Sequence, residues 1–243
     1  MIIEKPTALT VILIIVIAIL GLYALGEVDY YSMKTAYEKN VEYPVLTIPA
    51  IELSEKINNN SLSQGVYMPP ESYKPDTGDM IIYGHRTLQG SPFLRLDEIT
   101  AGDKLVFQWP GTGEVNYTVK EKKVVPATYK IRNNLDGTKV YLITCDPIGS
   151  TANRLIIEGE KNSTGPVQEK ILGENPKQNY GLIIAIIFLI GGLALSLIYN
   201  KDNRIYLIIT VLIVSGIIFY FYFFPIEPDI IFSKIKFLNG EIS

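Results

Sequence analysis

Three long apolar runs constrain this chain more than anything else in it: residues 8–25, 180–199 and 205–224, none with a charge inside it. Each is close to the roughly 20 residues that carry a helix across a hydrocarbon core of about 30 Å. All three are apolar on every face, and what remains of the chain is too small to enclose them, so membrane spans are expected rather than buried helices. The second and third runs are joined only by Asn200-Lys201-Asp202-Asn203-Arg204, which predicts a membrane hairpin. The resulting plan is an N-terminal anchor over 1–26, one domain over 27–178, the hairpin over 179–224 and a tail over 225–243. The middle segment, about 150 residues, is long enough for one domain with a sizeable core. The first run reads as a retained signal anchor; Ala24-Leu25-Gly26 matches a cleavage site poorly, and cleavage there is the alternative. Lys201 and Arg204 in the tight turn favour a cytoplasmic hairpin turn and put the middle domain outside. Lys5 agrees, while Lys34, Lys177 and Lys234 flank the other side.

Within the middle domain the pattern begins with a polar, tyrosine-rich stretch over 27–43, with Lys34, Glu38 and Lys39 at helical spacing; it reads as a short helix or stalk before Pro44. Short β-rich runs follow at 45–48, 80–83, 104–109, 115–125, 139–144 and 154–158. Turn residues punctuate them: Gly102-Asp103, Gly111-Thr112-Gly113 and Asp136-Gly137. Many short strands predict a mostly β domain, a small barrel or a sandwich. Ser91-Pro92 opens a different segment, in which Phe93, Leu96 and Ile99 share one face, and one or two helical turns are expected there. The tail, including Ile230, Lys234 and Lys236, reads as an interfacial segment or a loose end.

Composition then narrows the chemistry. A net charge of −3 and no clustering of Lys and Arg give no footprint for nucleic acid. There is one cysteine, Cys145, and one histidine, His85. A single cysteine makes no intramolecular disulfide, and this pair cannot build a zinc site of the Cys/His kind. Glu52, Glu55, Asp97 and Glu98 match no calcium-loop spacing and read as solvated charge, so neither metal nor cofactor is expected. Asn59, Asn116 and Asn162 head Asn-x-Ser/Thr triplets in the middle domain, where glycosylation would at most be permitted.

Taken singly, Cys145 reads as a small buried hydrophobe, His85 as structural and Arg154 as a solvated strand end. Their order says more. Cys145 ends a predicted strand in Leu142-Ile143-Thr144-Cys145-Asp146-Pro147, and Arg154 begins the next in Arg154-Leu155-Ile156. His85 follows a strand through a glycine, in Gly84-His85-Arg86-Thr87. This ordered set resembles the sortases, membrane-anchored cysteine transpeptidases of cell surfaces, over about 110 residues. Gly84-His85-Arg86-Thr87 with Gly90-Ser91-Pro92-Phe93 is similar to the histidine segment of class E sortases. Thr144-Cys145-Asp146-Pro147-Ile148-Gly149 with Arg154 is similar to the pilin-polymerising class C pattern, so the subclass stays open.

The resemblance implies a closed β-barrel with short helices, carried here with three transmembrane helices. It implies catalytic roles for His85, Cys145 and Arg154 and a substrate contact for Thr144. The expected substrates are surface proteins with a C-terminal Leu-Pro-x-Thr-Gly-like sorting signal, cleaved between threonine and glycine. The acyl group would pass through a thioester on Cys145 to an amine of the envelope or of another protein. The expected location is the cell membrane, multi-pass, with the catalytic domain on the extracytoplasmic face. Two features depart from the family pattern: most sortases carry one membrane segment, and no Asp-Pro-aromatic lid precedes the core. The hairpin is expected to anchor, with binding of a membrane partner or of the transmembrane part of a substrate as the alternative. A pilin-polymerising enzyme, a papain-like hydrolase and a catalytically idle envelope-binding barrel are the competing readings. The papain-like design asks for a nucleophile at a helix start with its histidine downstream, the reverse of the order here.

Overall fold

The computed structural model describes residues 5–38, 42–132, 134–135, 137–173 and 175–235; Lys39, Asp136 and Lys236, named above, lie outside them. The chain divides into two compact units, one made of residues 1–36 and 176–235 and the other chiefly of 37–175.

The first unit is helical. It contains α1 (Ala8–Glu38), α3 (Tyr180–Ile198), α4 (Arg204–Phe223) and α5 (Pro228–Ile235). The first three of these are long and apolar enough to cross a membrane. The stretch read as a short helix or stalk is helical as far as Glu38, where it continues the first apolar run as one helix, because no proline interrupts it before Pro44. Small residues let the helices close on one another: a Cβ on Gly192 of α3 would lie 2.8 Å from Val211 of α4. Ala24, Val28, Ala185 and Ile218 form the buried cluster of this unit, and Asp29 accepts a hydrogen bond from the backbone N–H of Ile226 at 2.9 Å.

The second unit is a closed barrel of eight strands: β1 (Val45–Ile48), β2 (Leu53–Asn58), β3 (Val66–Tyr67), β4 (Met80–Tyr83), β5 (Lys104–Trp109), β6 (Gly113–Pro126), β7 (Lys139–Asp146) and β8 (Asn153–Gly165). Around the barrel they run β1-β2-β3-β4-β7-β8-β6-β5, and β5 closes onto β1. The pairs β2–β3 and β4–β7 are parallel; every other neighbour is antiparallel. A short helix α2 (Glu169–Gly173) follows the last strand.

Side chains alternate across each strand, so Met80 and Ile82, Val140 and Leu142, and Leu155 and Ile157 fill the interior with Phe107 and Tyr117. The rings of Phe107 and Tyr117 meet edge to face at 5.4 Å. Their outward neighbours Ile81, Tyr141, Ile143 and Ile156 make a second apolar cluster on the outer face of β4, β7 and β8, against which Ile131 and Val125 pack. The segment around 127–132, between β6 and β7, therefore lies over this face.

The one or two helical turns expected after Ser91 take the form of a 3-10 turn at Leu96–Glu98. Its apolar residues behave as their spacing requires, for Phe93, Leu96 and Ile99 are all fully buried. The backbone before them does not: Gln89, Gly90 and Ser91 all have positive φ, which turns the chain too sharply for a regular helix to start.

Candidate active site

Two strand pairings bring the sequence-predicted residues together. β7 and β8 run antiparallel with Cys145 directly opposite Arg154. β4 and β7 run parallel with Tyr83 beside Ile143, and the ladder continues one step as the Gly84 N–H donates to the Ile143 carbonyl at 3.2 Å. Carrying that register two positions past Tyr83 sets His85 alongside Cys145. The cysteine thus sits at one rim of the barrel with the histidine on one flank and the arginine on the other. By strand alternation its side chain shares the outer face with Ile143 and Tyr141.

Thr144 lies on the opposite, inner side of β7. It is buried, and its hydroxyl donates to the Gly84 carbonyl at 2.8 Å. The side chain expected to touch substrate therefore ties the cysteine strand to the histidine segment. The same segment is pinned further on, where the Phe93 N–H donates to the His85 carbonyl at 3.0 Å. Phe93 also explains Gly84, since a Cβ there would sit 2.6 Å from the phenylalanine ring.

His85 is 5% exposed, and burial alone pushes its pKa down from 6.5 to about 4. At neutral pH the imidazole is uncharged. The shift has a stability consequence. As pH falls the unfolded chain, with its histidine near 6.5, takes up the proton first; the stability from the neutral imidazole is full above that value and declines down to about 4. The loss amounts to about 3 kcal/mol. Thermal unfolding between pH 7 and 4 is expected to show this decline in the wild type and a shallower one in His85→Gln.

Arg154 Nη1 donates to the carbonyls of Thr151 and Asn153, both at 3.0 Å, which fixes the guanidinium on the loop joining β7 and β8. Among the described residues no carboxylate pairs with it. It borders a cavity of about 480 Å3 on the outer face, floored by Ile81, Ile143 and Ile156 and walled by Tyr83 and Ile131. Burial, followed by the charge of Glu71, raises the Tyr83 hydroxyl above its ordinary range, so it stays protonated.

Sequence reasoning quoted Arg86 only as part of a motif, and the structure gives it a definite place. Its side chain is 4% exposed and pairs with Asp146 at 2.9 Å and Asp97 at 2.7 Å. It also reaches the Leu94 and Cys145 carbonyls at 3.4 and 3.5 Å. The residue after the histidine is thereby latched to the residue after the cysteine. Asp97 is thus an ion-pair partner and not the solvated charge expected; Glu98 pairs with Arg95 at 2.7 Å and Glu55 is buried. Only a planar guanidinium serves two carboxylates and two carbonyls at once. Arg86→Lys is accordingly expected to lower kcat/KM for the reaction of this site by about tenfold or more through misplacement of the flanking groups. A steady-state comparison with Arg95→Lys, whose pair with Glu98 is exposed, checks it.

Comparison with known proteins identifies the family. A family model described as the Sortase domain matches residues 38–162, just over half of the chain. A comparison with curated proteins returned no match. Among solved structures, sortase A of Listeria monocytogenes is 21% identical, with 54% of this chain and 94% of that one covered at a TM-score of 0.45. Sortase C1 of Streptococcus agalactiae is 25% identical over 51% of this chain and 69% of its own, at 0.46. A Clostridium perfringens sortase D5 transpeptidase is 19% identical over 54% and 88%, also at 0.46. With a closed eight-stranded barrel and a family match that covers just over half of the chain, including His85, Cys145 and Arg154, the chain belongs to the sortase family.

Proposed function

We propose that the chain is a transpeptidase that cleaves a Leu-Pro-x-Thr-Gly-like sorting signal between threonine and glycine and transfers the threonyl end to an amine. The observation that supports this reading is the pairing of Cys145 with Arg154 across β7 and β8, with β4, which ends two residues before His85, on the other side of β7. Cys145 is the nucleophile. Its thiol proton passes to the neutral imidazole of His85 as sulfur bonds to the threonine carbonyl carbon, and Arg154 holds the oxyanion that forms. When the C–N bond breaks, His85 returns that proton to the leaving amine, and a thioester remains. The incoming amine attacks the thioester, gives a proton to His85, and the sulfur leaves and recovers it. The thioester keeps enough of the amide's free energy for the second amide to form, whereas water would only hydrolyse it.

Thr144 acts by position, through its bond to Gly84, with no part in the chemistry. The domain over 27–178 is assigned to the extracytoplasmic face and the three apolar helices to the cell membrane. Substrates held in the same bilayer by their own C-terminal segments would be presented at raised effective concentration. Intact mass spectrometry of the full chain in detergent tests the reading, with a Leu-Pro-x-Thr-Gly peptide library and a glycine or lysine amine. A mass gain on Cys145 that the amine resolves into a new amide supports it; a folded, reduced protein that acquires no adduct contradicts it.

A further inference from the structure

A second cavity of about 470 Å3 opens beside the first on the outer face of the barrel, floored by Tyr141 and Glu158 and bordered by Lys123, Lys130 and Arg132. Tyr129, Lys130 and Ile131 line both cavities, so the two are consecutive stretches of one cleft beneath the same segment. Their charge differs. In the second, Lys123 is shared between Glu121 at 3.1 Å and Glu158 at 3.6 Å, and Glu158 also pairs with Lys139 at 2.7 Å. Lys130 and Arg132 are exposed and have no carboxylate partner among the described residues. A chain of net charge −3 thus turns two uncommitted cations into a cleft continuous with its candidate active site.

The position of this cleft along β7 says which part of a substrate reaches it. Cys145, Ile143 and Tyr141 follow one another on the outer face, and four residues of strand separate the first from the last, about 13 Å. An extended peptide whose scissile carbonyl lies at Cys145 therefore has a residue four positions away over Tyr141. The half of the peptide that departs must leave room for the incoming amine. The walled cleft accordingly suits the half that stays on the enzyme as the thioester, the N-terminal side of the scissile bond.

We infer that Lys130 and Arg132 select sorting signals with acidic side chains immediately before the leucine of the Leu-Pro-x-Thr-Gly-like core. This deepens the transpeptidase reading and rests on it. Each pair is partly exposed, so the preference is modest: two such pairs amount to about fivefold in kcat/KM.

The test uses the full chain in detergent and three peptides, each ending in Leu-Pro-Ala-Thr-Gly and preceded by Glu-Glu, Ala-Ala or Lys-Lys. At low salt the order of kcat/KM is Glu-Glu above Ala-Ala above Lys-Lys. Salt near 0.5 M, where the screening length falls to roughly 4 Å, compresses it. Lys130→Glu with Arg132→Glu inverts it, and because the readout is a ratio between peptides turned over by the same protein, partial loss of folded material does not imitate the result. Equal turnover of the three peptides by the wild type overturns the inference and leaves the transpeptidase standing. An order unchanged in the double variant also overturns it, as does a charge effect seen only in the KM of the accepting amine, which would assign the cleft to the acceptor. A full chain that forms no thioester with any of the three removes the underlying reading and the inference with it.

Discussion

Cys145→Ala is expected to abolish thioester formation and amide transfer, a loss of at least about 10³-fold. No other thiol can take over, since the chain holds no second cysteine. The substitution removes a partly exposed sulfur at a barrel rim, outside the interior cluster of Leu142, Leu155 and Ile157, so folding should survive it. Cys145→Ser is the sharper version. It keeps the size and a proton, but an alkoxide is far harder to form than a thiolate and the neutral imidazole beside it is a weak base. The serine variant should therefore lose nearly as much as the alanine variant. Intact mass measurement of each variant with the peptide library checks this, together with circular dichroism to establish the fold. Near wild-type transfer by Cys145→Ser would remove thiol chemistry from the mechanism.

The parts of the fold that could be read from the sequence are those in which one strand face meets a packed interior. Met80–Tyr83, Lys104–Trp109 and Lys139–Asp146 are short runs rich in apolar residues, and their boundaries fall within two residues of those expected. β2 was missed because Leu53-Ser54-Glu55-Lys56-Ile57-Asn58 has only two apolar residues, four positions apart, and β3 because two residues carry no period. β8 extends well beyond its apolar core, since the stretch from Glu158 to Gly165 pairs along β6 and has no apolar pattern of its own. At the site, Cys145 and His85 stand out in the sequence because each is the only residue of its type, and Arg154 because it opens a predicted strand. What joins them does not. The β4–β7 pairing is parallel and links residues 60 apart, and the Arg86 latch spans the same separation to Asp146 and a shorter one to Asp97. Such long-range partners leave no local pattern. Thr144 shows the converse: the sequence singles the residue out, but only the strand's alternation shows that its hydroxyl faces inward to Gly84.

The arginine prediction separates two roles that the same side chain can fill. If Arg154 holds the oxyanion, its hydrogen bonds strengthen as charge develops, and Arg154→Ala should lower kcat by about 10² to 10³ while KM changes less than about threefold. If it holds a carbonyl already bound in the ground state, KM should rise and kcat stay near the wild-type value. The geometry favours the first. One nitrogen of the guanidinium is already fixed by the Thr151 and Asn153 carbonyls, directly across the ladder from Cys145, so the group is oriented before substrate arrives. Preorganised donors of this sort act mainly on the transition state. Lysine keeps the charge but cannot bond two loop carbonyls and still present a rigid donor to the oxyanion, so Arg154→Lys should recover no more than about a tenth of the lost activity. Single-turnover acylation, followed as the rate of adduct formation on Cys145 over a range of peptide concentrations, distinguishes the cases. A fall in the limiting rate assigns Arg154 to the oxyanion; a rise in the half-saturating concentration alone moves it to substrate binding.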